Sequence, residues 1–219
     1  MAYHHAMFKK LLAALTSRRQ ASAAQPYRQD ELNLVYQLLF CDDPQLMQAS
    51  AASNALFGAA PDPRVVQTIG EDPAEESRVR LLAWHWLRAA GQPVASRELL
   101  GVVVEVPLEG GLDVLAAYAD GSVQYINQTG RLAVFEGAPE EVAQHGKLLV
   151  HAGIGLAAKG AVKKRTPPPA FGNVRLSLLA ADGLHVREGS FGEIDRDPLA
   201  KPVLQQAQRL LDTVVRQGS

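Results

Sequence analysis

The chain has 219 residues, enough for one large or two small domains. Hydrophobic residues make up 47% and charged residues 21%, a balance that excludes a disordered chain. The formal net charge of −1 gives no electrostatic reason to expect nucleic acid as a partner.

Residues 1–28 form a basic arm. Lys9, Lys10, Arg18, Arg19 and Arg28 stand there without an acidic residue, giving +5 against −6 for the remainder. Phe8, Leu11, Leu12 and Leu15 recur at helical spacing and predict one apolar stripe, read as an N-terminal docking helix. Such a helix packs on its own domain or on a second copy, or lies on an anionic membrane as a peripheral contact. No apolar run approaches the length of a membrane span.

Residues 29–92 read as short helices. Asp30 caps the first, whose apolar face is Leu32, Val35, Tyr36 and Leu39. Asp43-Pro44, Asp62-Pro63 and Asp72-Pro73 then each predict a restart, because Asp satisfies free helix N–H groups and Pro fits the first turn. The second of these helices covers Leu46 to Phe57, and the last runs from Glu75 to Ala90, with Trp84 and Trp86 as packing anchors. Cys41 is the single cysteine, so neither an intramolecular disulfide nor a cysteine zinc site is available. It reads as a small buried hydrophobe and fits a reducing, cytoplasmic setting.

Residues 93–219 read as a sheet domain. Leu100 to Val106 is apolar at every position except Glu105, the pattern of a central strand. Strands over 112–118 and 122–127 flank Asp120-Gly121, and a fourth covers 131–136. A helix follows from Pro139, with Val142, Gly146, Leu149, Gly153 and Leu156 on one stripe. Glycine costs helix propensity, so two on a buried stripe predict a close approach of backbone to the sheet. The basic run Lys159 to Arg165 and Pro167-Pro168-Pro169 read as a solvated loop, or a docking point for an acidic partner. A second hairpin forms about Asp182-Gly183, and its sequence echoes the first. The last helix buries Leu199, Val203, Leu210 and Val214 and runs from about Pro198 or Pro202 to Arg216.

The predicted class is therefore α+β, in the order α-ββββ-α-ββ-α. A region of short helices precedes an antiparallel sheet of five or six strands with helices on one face. From about residue 75 this order is similar to that of small bacterial secretion chaperones, which bind extended segments as dimers; the four-strand run departs from the three strands usual there.

No constellation in the sequence names a reaction. His145 and His151 lie six apart without a carboxylate at ligand spacing, so no metal site or cofactor is expected. Neither a nucleophile elbow nor a phosphate-binding loop occurs. The polar residues left on the hairpins are Tyr118, Tyr125, Asn127, Arg175, His185 and Arg187. On a shared open face they would line a concave surface for a peptide or an anion. The sequence thus favours a non-enzymatic protein-binding, chaperone-like module, with a second copy of the chain among its candidate partners. The alternative is a small-molecule or anion-binding protein, or an enzyme, using Arg175, His185 and Arg187.

Overall fold

The computed structural model describes residues 25–43, 61–137 and 139–217. The stripe Phe8, Leu11, Leu12 and Leu15 and the helix expected over Leu46 to Phe57 lie outside the described residues. Among the described residues three helices come first: α1 (Asp30–Leu38), α2 (Pro63–Glu71) and α3 (Ser77–Ala89). A four-strand meander follows, β1 (Leu99–Leu108), β2 (Gly111–Tyr118), β3 (Val123–Ile126) and β4 (Leu132–Phe135). Then come α4 (Glu140–Lys159), β5 (Val162–Lys163), β6 (Asn173–Ala180), β7 (Gly183–Ser190), α5 (Phe191–Arg196) and α6 (Lys201–Gln217).

Local chemistry explains several boundaries. Asp62 caps α2 by accepting the Arg64 N–H at 2.9 Å, with Pro63 in the first turn as expected. Asp72 instead organises a turn by accepting from Ala74 N, and α3 begins later, at Ser77. The stretch Phe191–Arg196 is the helix α5, opened by a reciprocal capping box between Ser190 and Glu193. At the first Asp-Gly turn only Gly121 takes positive φ, at 92°. Tyr118 and Ser122 close a three-residue hairpin loop, and Asp120 accepts from Ser122 N at 2.8 Å.

The strands form one sheet in the order β4-β3-β2-β1-β6-β7-β5, and every neighbouring pair is antiparallel. The α+β class holds. The sheet has seven strands among the described residues, because Val162–Lys163, expected as loop, pairs with β7 as a short edge. The two hairpins that echo one another flank the central strand, with Tyr118 and Leu179 both opposite Gly101.

Helices cover both faces of this sheet, not one. Leu100, Val103, Leu112, Val114, Ala116 and Ile126 face α1, α2 and α3 in one core. Leu99, Val102, Val104, Leu115, Leu176 and Leu178 face α4, α5 and α6 in the other. The cause is the apolar run Leu99 to Val104 of β1: period-two alternation sends neighbours to opposite faces, so apolar residues at both parities require two covers. The expected stripe of α4 is buried throughout. A Cβ at Gly146 would stand 2.8 Å from Val123, and one at Gly153 would stand 2.8 Å from Leu178, which is the close approach the glycines predict.

Candidate functional site

A carboxylate interrupts the apolar run of β1, and the face against α1 is built around it. Glu105 is fully buried and sits opposite Arg175 of β6, which in turn sits opposite Glu188 of β7. Tyr36, on the inner face of α1, donates its hydroxyl to Glu105 Oε1 at 2.7 Å. Arg175 Nη1 lies 3.7 Å from Glu105 Oε2 and donates to the Thr166 carbonyl at 3.2 Å. Its Nε and Nη2 meet Glu188 Oε2 at 2.9 and 2.8 Å. Burial pushes the Glu105 carboxyl up, while the Tyr36 hydroxyl and Arg175 oppose the shift. The Tyr36 hydroxyl is also raised, first by burial and then by the Glu105 charge. These groups are spent on one another, apart from Glu105 Oε2, which accepts no hydrogen bond. The network pins α1 and the loop at Thr166 to one position on the sheet.

Arg165 extends the same layer. Its guanidinium stacks over Phe40 at 4.6 Å and lies 3.3 Å from Asp42. The basic run is therefore divided: Arg165 turns inward while Lys163 and Lys164 stay exposed. Cys41 is buried, and burial pushes its thiol up to about 12, so the reactive thiolate is not formed at neutral pH.

The six polar hairpin residues do not share one concave surface. Tyr118 and Arg175 face α1–α3, whereas Tyr125, His185 and Arg187 face the α4–α6 side. The expected pocket of Arg175, His185 and Arg187 is thus split by the sheet. Side chains alternate, and 175 opposes Glu188 while 187 opposes Leu176. Each residue also has a local task. Tyr118 donates to the Leu39 carbonyl at 2.7 Å, and Tyr125 to Asp113 at 2.9 Å. Asn127 Oδ1 accepts from Thr129 N and Arg131 N and shapes the β3–β4 turn. His185 Nε2 is 2.8 Å from Asp182 Oδ1, and its ring packs on Gly160. Arg187 donates to Asp197 at 2.9 Å.

A different feature remains open to solvent. β1 ends at this edge of the sheet, β6 begins there and β7 ends there, since Glu105 pairs with Arg175 and Asn173 with Ser190. At these ends stand Leu108, the last residue of β1, Phe171, shortly before β6, and Phe191, directly after β7, exposed by 38%, 76% and 43%. Exposed large apolar residues thus stand at three adjacent strand ends, across roughly 10 Å of sheet. The sequence pattern does not bring these residues together, because they are far apart in the chain and meet only through the strand order. The signal in the sequence is an aromatic followed by a glycine, twice, at Phe171-Gly172 and Phe191-Gly192.

Among the described residues no group of three or more His, Cys, Asp or Glu is arranged to hold a metal ion. No helix among them is long and apolar enough to cross a membrane. In comparison with known proteins, no family model matches the chain, and neither a curated protein nor a solved structure does.

Proposed function

We propose that this chain is a protein-binding module that docks an apolar segment of a protein partner on the sheet end formed by Leu108, Phe171 and Phe191. The observation that carries this reading is the exposure of these three side chains on adjacent strand ends. Apolar carbon clustered in water marks a surface that gains by being covered, and aromatic residues are enriched where proteins meet. The buried single cysteine fits work in a reducing compartment such as the cytoplasm. The alternative, a ligand pocket of Arg175, His185 and Arg187, gains no support from side chains on opposite faces of a covered sheet.

The test is capture from the native host's lysate with full-length bait in three forms: wild type, Phe171→Ser/Phe191→Ser, and Val65→Ser. Val65 is an exposed apolar residue of α2, a helix tied through Arg80 to the opposite end of β1. The expected result is a protein recovered by wild type and Val65→Ser and lost with the double variant. Equal recovery by all three would rule out the sheet end as the docking site.

A further inference from the structure

We infer that two copies of this chain join through β4, which pairs antiparallel with β4 of the other copy about a two-fold axis. The sheet has two edges among the described residues, and they are built differently. β5 is blunt. It is two residues long, exposed Lys163 and Lys164 stand on and just beyond it, and Pro167, Pro168 and Pro169 follow. Shortness, charge and proline keep an edge from pairing with another chain. β4 has no charge and no proline. Its register on β3 is unbroken across Leu132, Ala133, Val134 and Phe135, and Val134 is 47% exposed.

The turn before β4 decides which backbone groups face outward. Asn127 N donates to the Arg131 carbonyl at 3.0 Å, and these two residues continue the β3–β4 register. Hydrogen-bonded and non-bonded pairs alternate along an antiparallel ladder. Ala133 and Phe135 therefore bond inward to β3, while Leu132 and Val134 direct N–H and C=O to the open side. A strand added there satisfies those groups.

The charges that flank β4 select a second copy as that strand. Arg131 precedes it and Glu136 follows it, and both are exposed. The Arg131 guanidinium has no ion-pair partner among the described residues, and Glu136 meets Arg78 at 3.8 Å. Antiparallel self-pairing sets the head of one β4 beside the tail of the other. Outward groups meet outward groups when the axis passes through Ala133 or through Val134. Either choice brings Arg131 within one residue of Glu136 of the other copy, on both sides of the axis, whereas parallel pairing would set like charges together. Opposite charges fix orientation, and a two-fold contact closes at two copies. β3 and β2 separate β4 from β1, so this edge is distinct from the sheet end at Leu108, Phe171 and Phe191.

Sedimentation velocity of the full chain over a range of concentrations tests the inference. Wild type should show a reversible monomer–dimer equilibrium. Val134→Pro deletes an outward N–H and no bond to β3, and should leave a monomer. Val134→Lys puts a charge on the edge and should do the same. Either variant with wild-type circular dichroism suffices. Arg131→Glu and Glu136→Arg should each weaken dimerisation about tenfold, since each sets like charges at both ends of the contact. Mixing these two variants should restore dimers as mixed pairs, seen by native mass spectrometry. Phe171→Ser/Phe191→Ser should dimerise like wild type. The inference is overturned if wild type stays monomeric up to about 1 mM. It is equally overturned if dimers persist in folded Val134→Pro or Val134→Lys, or if the mixed charge variants form no more dimer than either alone.

Discussion

The two faces of the sheet are covered in different ways. Against α4, α5 and α6 the contact is largely aliphatic: Val102, Val104, Leu115 and Leu178 meet Leu149, Leu156, Val203 and Leu210. Against α1, α2 and α3 it is aromatic and polar. Tyr27, Tyr36, Trp84 and Tyr118 pack there, and Glu105, Arg175, Ser177 and Gln124 are buried on the same side of the strands. All three tyrosine hydroxyls bond across elements, to the Leu112 carbonyl, Glu105 and the Leu39 carbonyl. An aliphatic face holds its helices by volume and area, and a methyl lost is a partial loss. A polar face holds them by pairs. Losing one partner there strands the other without water, which costs more than the pair contributes.

The largest effect should follow from breaking the buried pair. Arg175→Met leaves Glu105 with only Tyr36 and should cost about 3–5 kcal/mol of unfolding free energy in urea titrations. The double variant Glu105→Leu/Arg175→Met should recover much of that loss, because no charge is then left buried alone. If the double variant is no better than the single, Arg175 acts through packing and the contrast between the faces is lost. Tyr36→Phe comes next, at about 1.5–3 kcal/mol, since it removes a hydrogen bond to a carboxylate. On the aliphatic face Gly153→Val should cost about 1–3 kcal/mol by overpacking against Leu178 and Leu99. Truncating Leu178 to Ala in that background should return part of it, since the added carbon would then have room. A similar rescue of Tyr36→Phe by a smaller neighbour would be unexpected.

Much of this fold was legible in residue patterns that are local. The buried stripe of α4, the two Asp-Gly hairpins and the Asp62-Pro63 start of α2 follow from spacing and turn chemistry within a few residues. What covers the second face was not legible in the same way. The apolar parity of β1 demanded a cover, but nothing local says that it comes from α1, whose Tyr36 is 69 residues from Glu105. Glu105 was visible as the lone polar residue of an apolar run, and its meaning depended on Arg175 arriving from β6. The grouping of Arg175, His185 and Arg187 failed on parity: an Arg and the residues across the next strand share a face only when their register agrees. Leu108, Phe171 and Phe191 are exposed at three strand ends whose adjacency follows only from the strand order.

The smallest effects are those of pH, and their signs differ between two carboxylates on the two sides. Burial holds the folded-state pKa of Glu105 above its unfolded value of about 4.3. The folded protein therefore binds this proton more tightly than the unfolded chain. Its contribution to stability is full below the unfolded value and is lost as pH rises through the raised folded value. Asp197 behaves oppositely. The hydrogen bond from Arg187, then those from Leu199 N and Ala200 N, hold its carboxyl below the usual range. Its contribution is present above the unfolded value of about 3.9 and is lost as pH falls through the depressed folded value. It should be modest, because solvent screens so open a pair. Urea midpoints of wild type, Glu105→Gln and Asp197→Asn across the acid range should separate the two. Glu105→Gln should gain on wild type as pH rises from about 4.3, and Asp197→Asn, which keeps a capping side chain, should gain on wild type as pH falls below about 3.9. Equal slopes in wild type and Glu105→Gln would mean that Tyr36 and Arg175 fully offset the desolvation of Glu105, and the polar face would then be electrostatically neutral toward folding.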